Sequence, residues 1–128
     1  MARYSGRCHC GAVRFEVEAP ECVDVEDCNC SICAMSGYLH LIVPRSRFRL
    51  LSGEDQLSTY TFNSGVAQHR FCRVCGIKPF YIPRSNPDGV DVNLRCLIER
   101  PPEVRIVAFD GQNWEANAAT LAHKSREP

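Results

Sequence analysis

The sequence has no excess of charge of either sign: 15 lysines and arginines balance 15 aspartates and glutamates in 128 residues. That balance excludes the broad basic field that draws a protein onto nucleic acid or an anionic membrane, so no nucleic-acid partner is expected. A run of about 18 apolar residues, the length a spanning helix needs, is also missing. The opening Met1-Ala2-Arg3-Tyr4-Ser5-Gly6-Arg7 lacks the apolar stretch of a signal peptide. These absences predict a cytoplasmic chain with no membrane partner. Internal repeats, low-complexity tracts and linkers are absent too, and the length suits one domain. Residues 1–128 are therefore read as a single domain with one active region.

What the sequence has in abundance is cysteine, nine in all. An odd number cannot all pair, and disulfides do not persist in a reducing compartment, so metal ligation becomes the default role.

Residues 12–18 alternate apolar and charged side chains with period two, the pattern of a strand buried on one face. Short runs rich in β-branched or aromatic residues recur at 38–43, 56–62, 66–71, 78–82, 90–94 and 104–109, bounded by Gly, Pro, Asn or Ser. Asn63-Ser64-Gly65 reads as a hairpin turn. Residues 31–36, stopped by Gly37, offer one helical turn, and residues 113–123 read as a short terminal helix or irregular chain. The polar tail after Leu121 reads as frayed. The predicted class is all-β, with metal sites at the turns.

Cys8-His9-Cys10-Gly11 and Cys72-Arg73-Val74-Cys75-Gly76 are two close pairs, each followed by a glycine able to take the positive φ of a tight metal-binding turn. Together they supply four thiolates for one closed tetrahedral zinc, which would clamp the first strand to the middle of the chain. Cys28-Asn29-Cys30-Ser31-Ile32-Cys33 brings three further thiols within six residues. Three protein ligands leave a fourth position for water or substrate, which distinguishes a reactive zinc from a structural one. Cys22, just upstream, would close that site if it joined the three; His9 and His40 are weaker candidates to cap the ion.

On these residues the chain resembles the family of glutathione-dependent formaldehyde-activating enzymes, which includes centromere protein V. The resemblance rests on Gly6-Arg7-Cys8-His9-Cys10-Gly11-Ala12-Val13, on Cys28-Asn29-Cys30-Ser31-Ile32-Cys33 with Gly37 after it, on Gly53-Glu54 before a strand, and on Phe71-Cys72-Arg73-Val74-Cys75-Gly76. Residues 76–93 look closer to the centromere-protein-V branch. The resemblance implies a β-tent of small antiparallel sheets organised around a structural zinc on Cys8, Cys10, Cys72 and Cys75, with at most one or two short helices. It implies a second zinc on Cys28, Cys30 and Cys33, two ions per chain. The family reaction is a carbon–sulfur lyase step run in the synthetic direction, joining glutathione to formaldehyde.

Such chemistry needs a thiolate near neutral pH, which a bound zinc stabilises outright. Water, His40 or a hydroxyl such as Ser31 would protonate the developing alkoxide. Glutathione's carboxylates would seek cations such as Arg45, Arg47, Arg49, Arg70, Arg73, Lys78 or Arg84. Two other readings remain open. One is a non-catalytic zinc module that binds another macromolecule; the other is a thiol-redox enzyme using Cys96, whose neighbour Arg95 could lower its pKa.

Overall fold

The structure, a computed structural model, describes residues 1–126. In chain order its elements are β1 (Ala2–Arg7), β2 (Arg14–Ala19), β3 (Cys22–Cys28), α1 (Ser31–Ser36), β4 (Leu39–Pro44), β5 (Phe48–Ser52), β6 (Leu57–Tyr60), β7 (His69–Cys72), β8 (Phe80–Tyr81), β9 (Gly89–Asn93), β10 (Glu103–Phe109) and α2 (Trp114–Asn117). A 3-10 segment, Ala118–Ser125, follows. The chain is all-β, as its alternating pattern predicts.

Three sheets form, ordered β1-β2-β5, β10-β3-β4-β9-β8 and β6-β7. In β2 the alternation is literal: Phe15, Val17 and Ala19 turn inward while Arg14 and Glu18 face solvent. Strands β4 and β9, reading Leu-His-Leu-Ile-Val-Pro and Gly-Val-Asp-Val-Asn, are buried at every position. They lie centrally in the five-stranded sheet, where both faces are covered and polar-apolar alternation has no use. The Ala118–Ser125 segment packs on β4 and β9. Phe15, Phe48 and Phe80 join the small sheet to the large one, with ring centroids 4.6 to 6.1 Å apart. Burying each such ring contributes roughly 1.5–3 kcal/mol.

One pair departs from the expected antiparallel arrangement: β10 lies parallel to β3, from Glu103 opposite Cys22 to Phe109 opposite Cys28. Across that edge Arg105 forks onto Asp24 at 2.7 and 2.8 Å. Three strands go unpredicted. In β1, Gly6 interrupts the pattern because a side chain there would collide with the Phe15 ring at 2.2 Å. In β3 the acidic residues obscure inward Val23 and Val25, and buried Glu26 is tolerated because Lys124 pairs with it. In β5 only Phe48 and Leu50 lean inward. The predicted strand at 78–82 shrinks to two residues, since Pro79 and Pro83 cannot donate to a ladder.

The polar tail is not frayed as far as Ser125. Asn86, fully buried, donates to the Leu121 carbonyl at 2.9 Å and to Ser125 Oγ at 2.8 Å, and Ser125 Oγ donates to Asp88 at 2.6 Å. Residues 127 and 128 lie outside the described residues.

Candidate functional site

Cys8 and Cys10 sit in the β1–β2 turn, and Cys72 and Cys75 in the turn that leaves β7. Gly11 and Gly76 adopt φ of 81° and 79°, the left-handed conformation that lets each loop fold back over its sulfurs. The Gly76 amide reaches the Cys72 carbonyl at 2.7 Å, and the Val13 amide points at Cys8 Sγ from 3.3 Å. All four sulfurs lie within 4.8 Å of one another, with Cys8–Cys10 at 3.6 Å and Cys10–Cys72 at 3.7 Å. Sulfurs bound to one tetrahedral zinc are about 3.8 Å apart, so this cluster can hold a metal ion.

Cys28, Cys30 and Cys33 form the second cluster, again with sulfurs within 4.8 Å of one another. Cys28 ends β3, Cys30 is the extended residue before α1, and Cys33 lies in its first turn, where the Ala34 amide closes on the Cys30 carbonyl at 2.9 Å. Hydrogen bonds from Cys28 and then Cys33 hold the Cys30 thiol far below the ordinary range, while hydrogen bonds to Cys28 and Cys30, and then burial, push Cys33 up. The loop after β10 clasps Asn29, whose side chain donates to Asp110 at 3.1 Å and accepts the Gln112 amide at 2.9 Å. That clasp brings Gly111 so close that a Cβ there would lie 2.3 Å from Cys28 Sγ. A donor set of three sulfurs, with the Gly111 backbone close against it, suits a metal ion.

His40 and Asp91 stand behind Cys33. His40 Nδ1 lies 2.6 Å from Asp91 Oδ2 and its Nε2 lies 3.1 Å from Cys33 Sγ, while Tyr38 donates to the Asp91 carbonyl at 2.6 Å. The three cysteines open into a cavity of about 320 Å³ whose walls include Ile32, Phe62, His69, Tyr81, Trp114 and Leu121. His69 stacks on Phe62 at 5.3 Å and on Tyr81 at 4.9 Å. Its Nδ1 meets Lys78 Nζ at 2.6 Å, and that ammonium rests 3.8 Å from the Tyr81 ring centroid. Burial lowers Lys78 to about 8; burial, then the Lys78 charge, lowers His69 to about 4.

A family profile described as glutathione-dependent formaldehyde-activating enzyme matches residues 3–110, which include all seven clustered cysteines, His40, His69 and Asp91. The chain belongs to that family. A Halomonas elongata protein provisionally named glutathione-dependent formaldehyde-activating enzyme is 26% identical over 121 residues, 85% of this chain and 77% of that one. The crystal structure of a Rhodobacter sphaeroides protein superposes with a TM-score of 0.71 at 37% identity, covering 80% of this chain and 99% of that one. The family match stops at residue 110, so Gly111 and Trp114 lie beyond it.

Several predicted candidates fall elsewhere. Cys22 begins β3 while Cys28 ends it, which separates them by about 20 Å of extended chain. It cannot close the three-cysteine site. Cys96 lies outside the cavity wall, and burial pushes its thiol to about 12, so Arg95, which instead donates to the Gly37 carbonyl, does not activate it. The thiol-redox reading loses its basis. His9 is exposed on the other cluster's loop. Of the seven candidate cations only Arg84 lines the cavity, stacked 3.8 Å from the Trp114 ring centroid and bonded to Glu115 at 2.9 Å. Ser31 also lines it. Sequence reasoning passed over Asp91, Tyr81 and His69. An acid inside the apolar run Val90-Asp91-Val92 was the available signal, since a buried carboxylate needs a partner.

Proposed function

We propose that the chain is a zinc-dependent carbon–sulfur lyase-type enzyme that condenses glutathione, or another small thiol, with formaldehyde or a related small aldehyde. Cys28, Cys30 and Cys33 hold the reactive zinc, and Cys8, Cys10, Cys72 and Cys75 a structural one. The observation that carries this reading is that three sulfurs, and no fourth cysteine, converge at a cavity. The same observation favours the enzyme over a non-catalytic zinc module, which calls for a closed site.

Zinc bound there would keep an incoming thiol deprotonated at neutral pH. In the overall reaction a sulfur–carbon bond forms, the carbonyl π bond breaks, and the proton of the thiol ends on the former carbonyl oxygen. His40 engages both ring nitrogens within the protein: a proton on Nδ1 faces the Asp91 carboxylate and Nε2 faces Cys33. That arrangement orients the ligand sulfur, as a carboxylate–histidine pair does behind many metal sites. Phe62, Trp114 and Leu121 shield the reacting atoms from bulk water, and Arg84 stands at the cavity wall as a partner for a substrate carboxylate.

Native mass spectrometry should find two zinc ions in the wild-type chain and one in Cys30→Ala. In cobalt-substituted protein, glutathione should perturb only the thiolate-to-metal band that Cys30→Ala removes. A single bound ion, indifferent to glutathione, would overturn this mechanism and leave the fold untouched.

A further inference from the structure

With both nitrogens of His40 engaged inside the protein, the cavity still needs a donor for the oxygen on which charge develops. His69 is buried, forms part of the cavity wall, and is held in plane by its stacks on Phe62 and Tyr81. Its Nδ1 faces Lys78 Nζ at 2.6 Å. A lysine ammonium has protons to give and no lone pair to accept with, so Nδ1 must be the accepting nitrogen. Two tyrosine rings hold that ammonium in place, Tyr81 at 3.8 Å and Tyr38 at 4.9 Å from their centroids. The single proton of the neutral imidazole is thereby driven to Nε2. That atom has no hydrogen-bond partner among the described residues. It is not one of the side-chain atoms sealed away unpaired, which belong to Tyr4, Glu26 and Asp91. With the His69 ring in the cavity wall, Nε2 is the nitrogen left to serve a ligand there.

We infer that His69, fixed by Lys78 in the Nε2–H tautomer, is a catalytic hydrogen-bond donor to the carbonyl oxygen of the aldehyde, and that Lys78 is a positioning residue acting through it. The inference rests on the condensation proposed above. As the thiolate sulfur bonds to the carbonyl carbon, the π electrons move onto the oxygen, which the fixed Nε2–H meets. His69 keeps its own proton, and the proton released by the thiol completes the hydroxyl through water. The low imidazole pKa agrees with this role, because a neutral ring can donate from Nε2 only while Nδ1 stays bare. Donors placed where charge develops in the transition state contribute heavily to enzymatic rate enhancement.

Nitrogen-15 NMR of the zinc-loaded protein should show His69 with a protonated Nε2 and a bare Nδ1 at pH 7, and Lys78→Met should populate the other tautomer. Formamide, an unreactive carbonyl of similar size, should shift the His69 Nε2–H resonance in the wild-type protein and leave the His40 Nδ1–H resonance in place. In turnover, His69→Phe should keep the stack, two zinc ions and the affinity for glutathione while kcat falls by about a hundredfold. His69→Gln, which retains a donor, should fall less. A proton on Nδ1, or no response to formamide, would overturn the inference even in an active enzyme. A wild-type protein that shifts with formamide but condenses no thiol with any aldehyde would overturn the condensation and leave His69 as a carbonyl-binding donor.

Discussion

At Gly111 a methyl group would meet Cys28 Sγ at 2.3 Å and Cys30 Cβ at 3.1 Å, and both neighbours are pinned, one by the end of a strand and one by the start of a helix. Gly111→Ala is therefore expected to splay the three sulfurs. The second metal should bind about 10- to 100-fold more weakly, read by competition with a chromophoric chelator, while the first stays bound. His69 makes a separate prediction. Its imidazole titrates at about 4 in the folded protein against 6.5 in an open chain, so between those values the unfolded state takes up a proton that the folded state refuses. Stability contributed by the neutral ring is present above pH 6.5 and drains away as the pH falls toward 4. Urea unfolding at pH 7 and pH 4.5 should show the wild-type protein losing more stability than His69→Phe, on the order of 2 kcal/mol. Carboxylates and metal ligands titrate in both proteins and cancel in the comparison.

Among the elements, the C-terminal 3-10 segment has the least local reason to exist and depends on contacts from elsewhere. Asn86 caps it through Leu121 and Ser125, and Lys124 lies against Glu26 in β3. Asn86→Ala removes the buried amide that donates to the Leu121 carbonyl and to Ser125 Oγ, and should cost about 1–3 kcal/mol in urea unfolding. Because Leu121 forms part of the cavity wall, the variant should also bind glutathione more weakly by calorimetry. This segment was illegible beforehand for a physical reason: its polar residues satisfy one another across the fold, which composition alone reads as a solvated tail. The strands most legible in sequence were those with one buried face, such as β2, or an apolar run, such as β4 and β9. Those least legible, β1 and β3, carry a glycine beneath Phe15 or a buried acid paired with Lys124, features whose purpose lies in another element.

Across the whole molecule the two cysteine clusters have different standing. The four-cysteine cluster joins the β1–β2 turn to the turn after β7, and so ties the three-stranded sheet to the β6–β7 hairpin; the three-cysteine cluster draws its ligands from one continuous stretch. Zinc binding contributes roughly 10–16 kcal/mol to the folding of small structural sites, more than the 5–15 kcal/mol by which a domain is usually stable. Cys72→Ser should therefore abolish the cooperative urea transition followed by circular dichroism. Cys30→Ala should retain it with a loss of about 1–3 kcal/mol.

The residue types and close spacing of seven cysteines were enough to separate them into two groups, because thiol pairs and triplets in tight turns carry their geometry locally and a glycine after each pair marks the turn. Only the tertiary structure could decide whether Cys22 joins the second group. Cys22 is near Cys28 in sequence, but an intervening β-strand holds it about 20 Å away. The parallel pairing of β10 with β3 delivers Gly111 to the sulfurs, and the packing of β4, β7 and β9 brings His40 to Asp91 and His69 into the cavity wall. These contacts join residues far apart in the chain, so they follow from strand order and burial, which no local run of residues specifies.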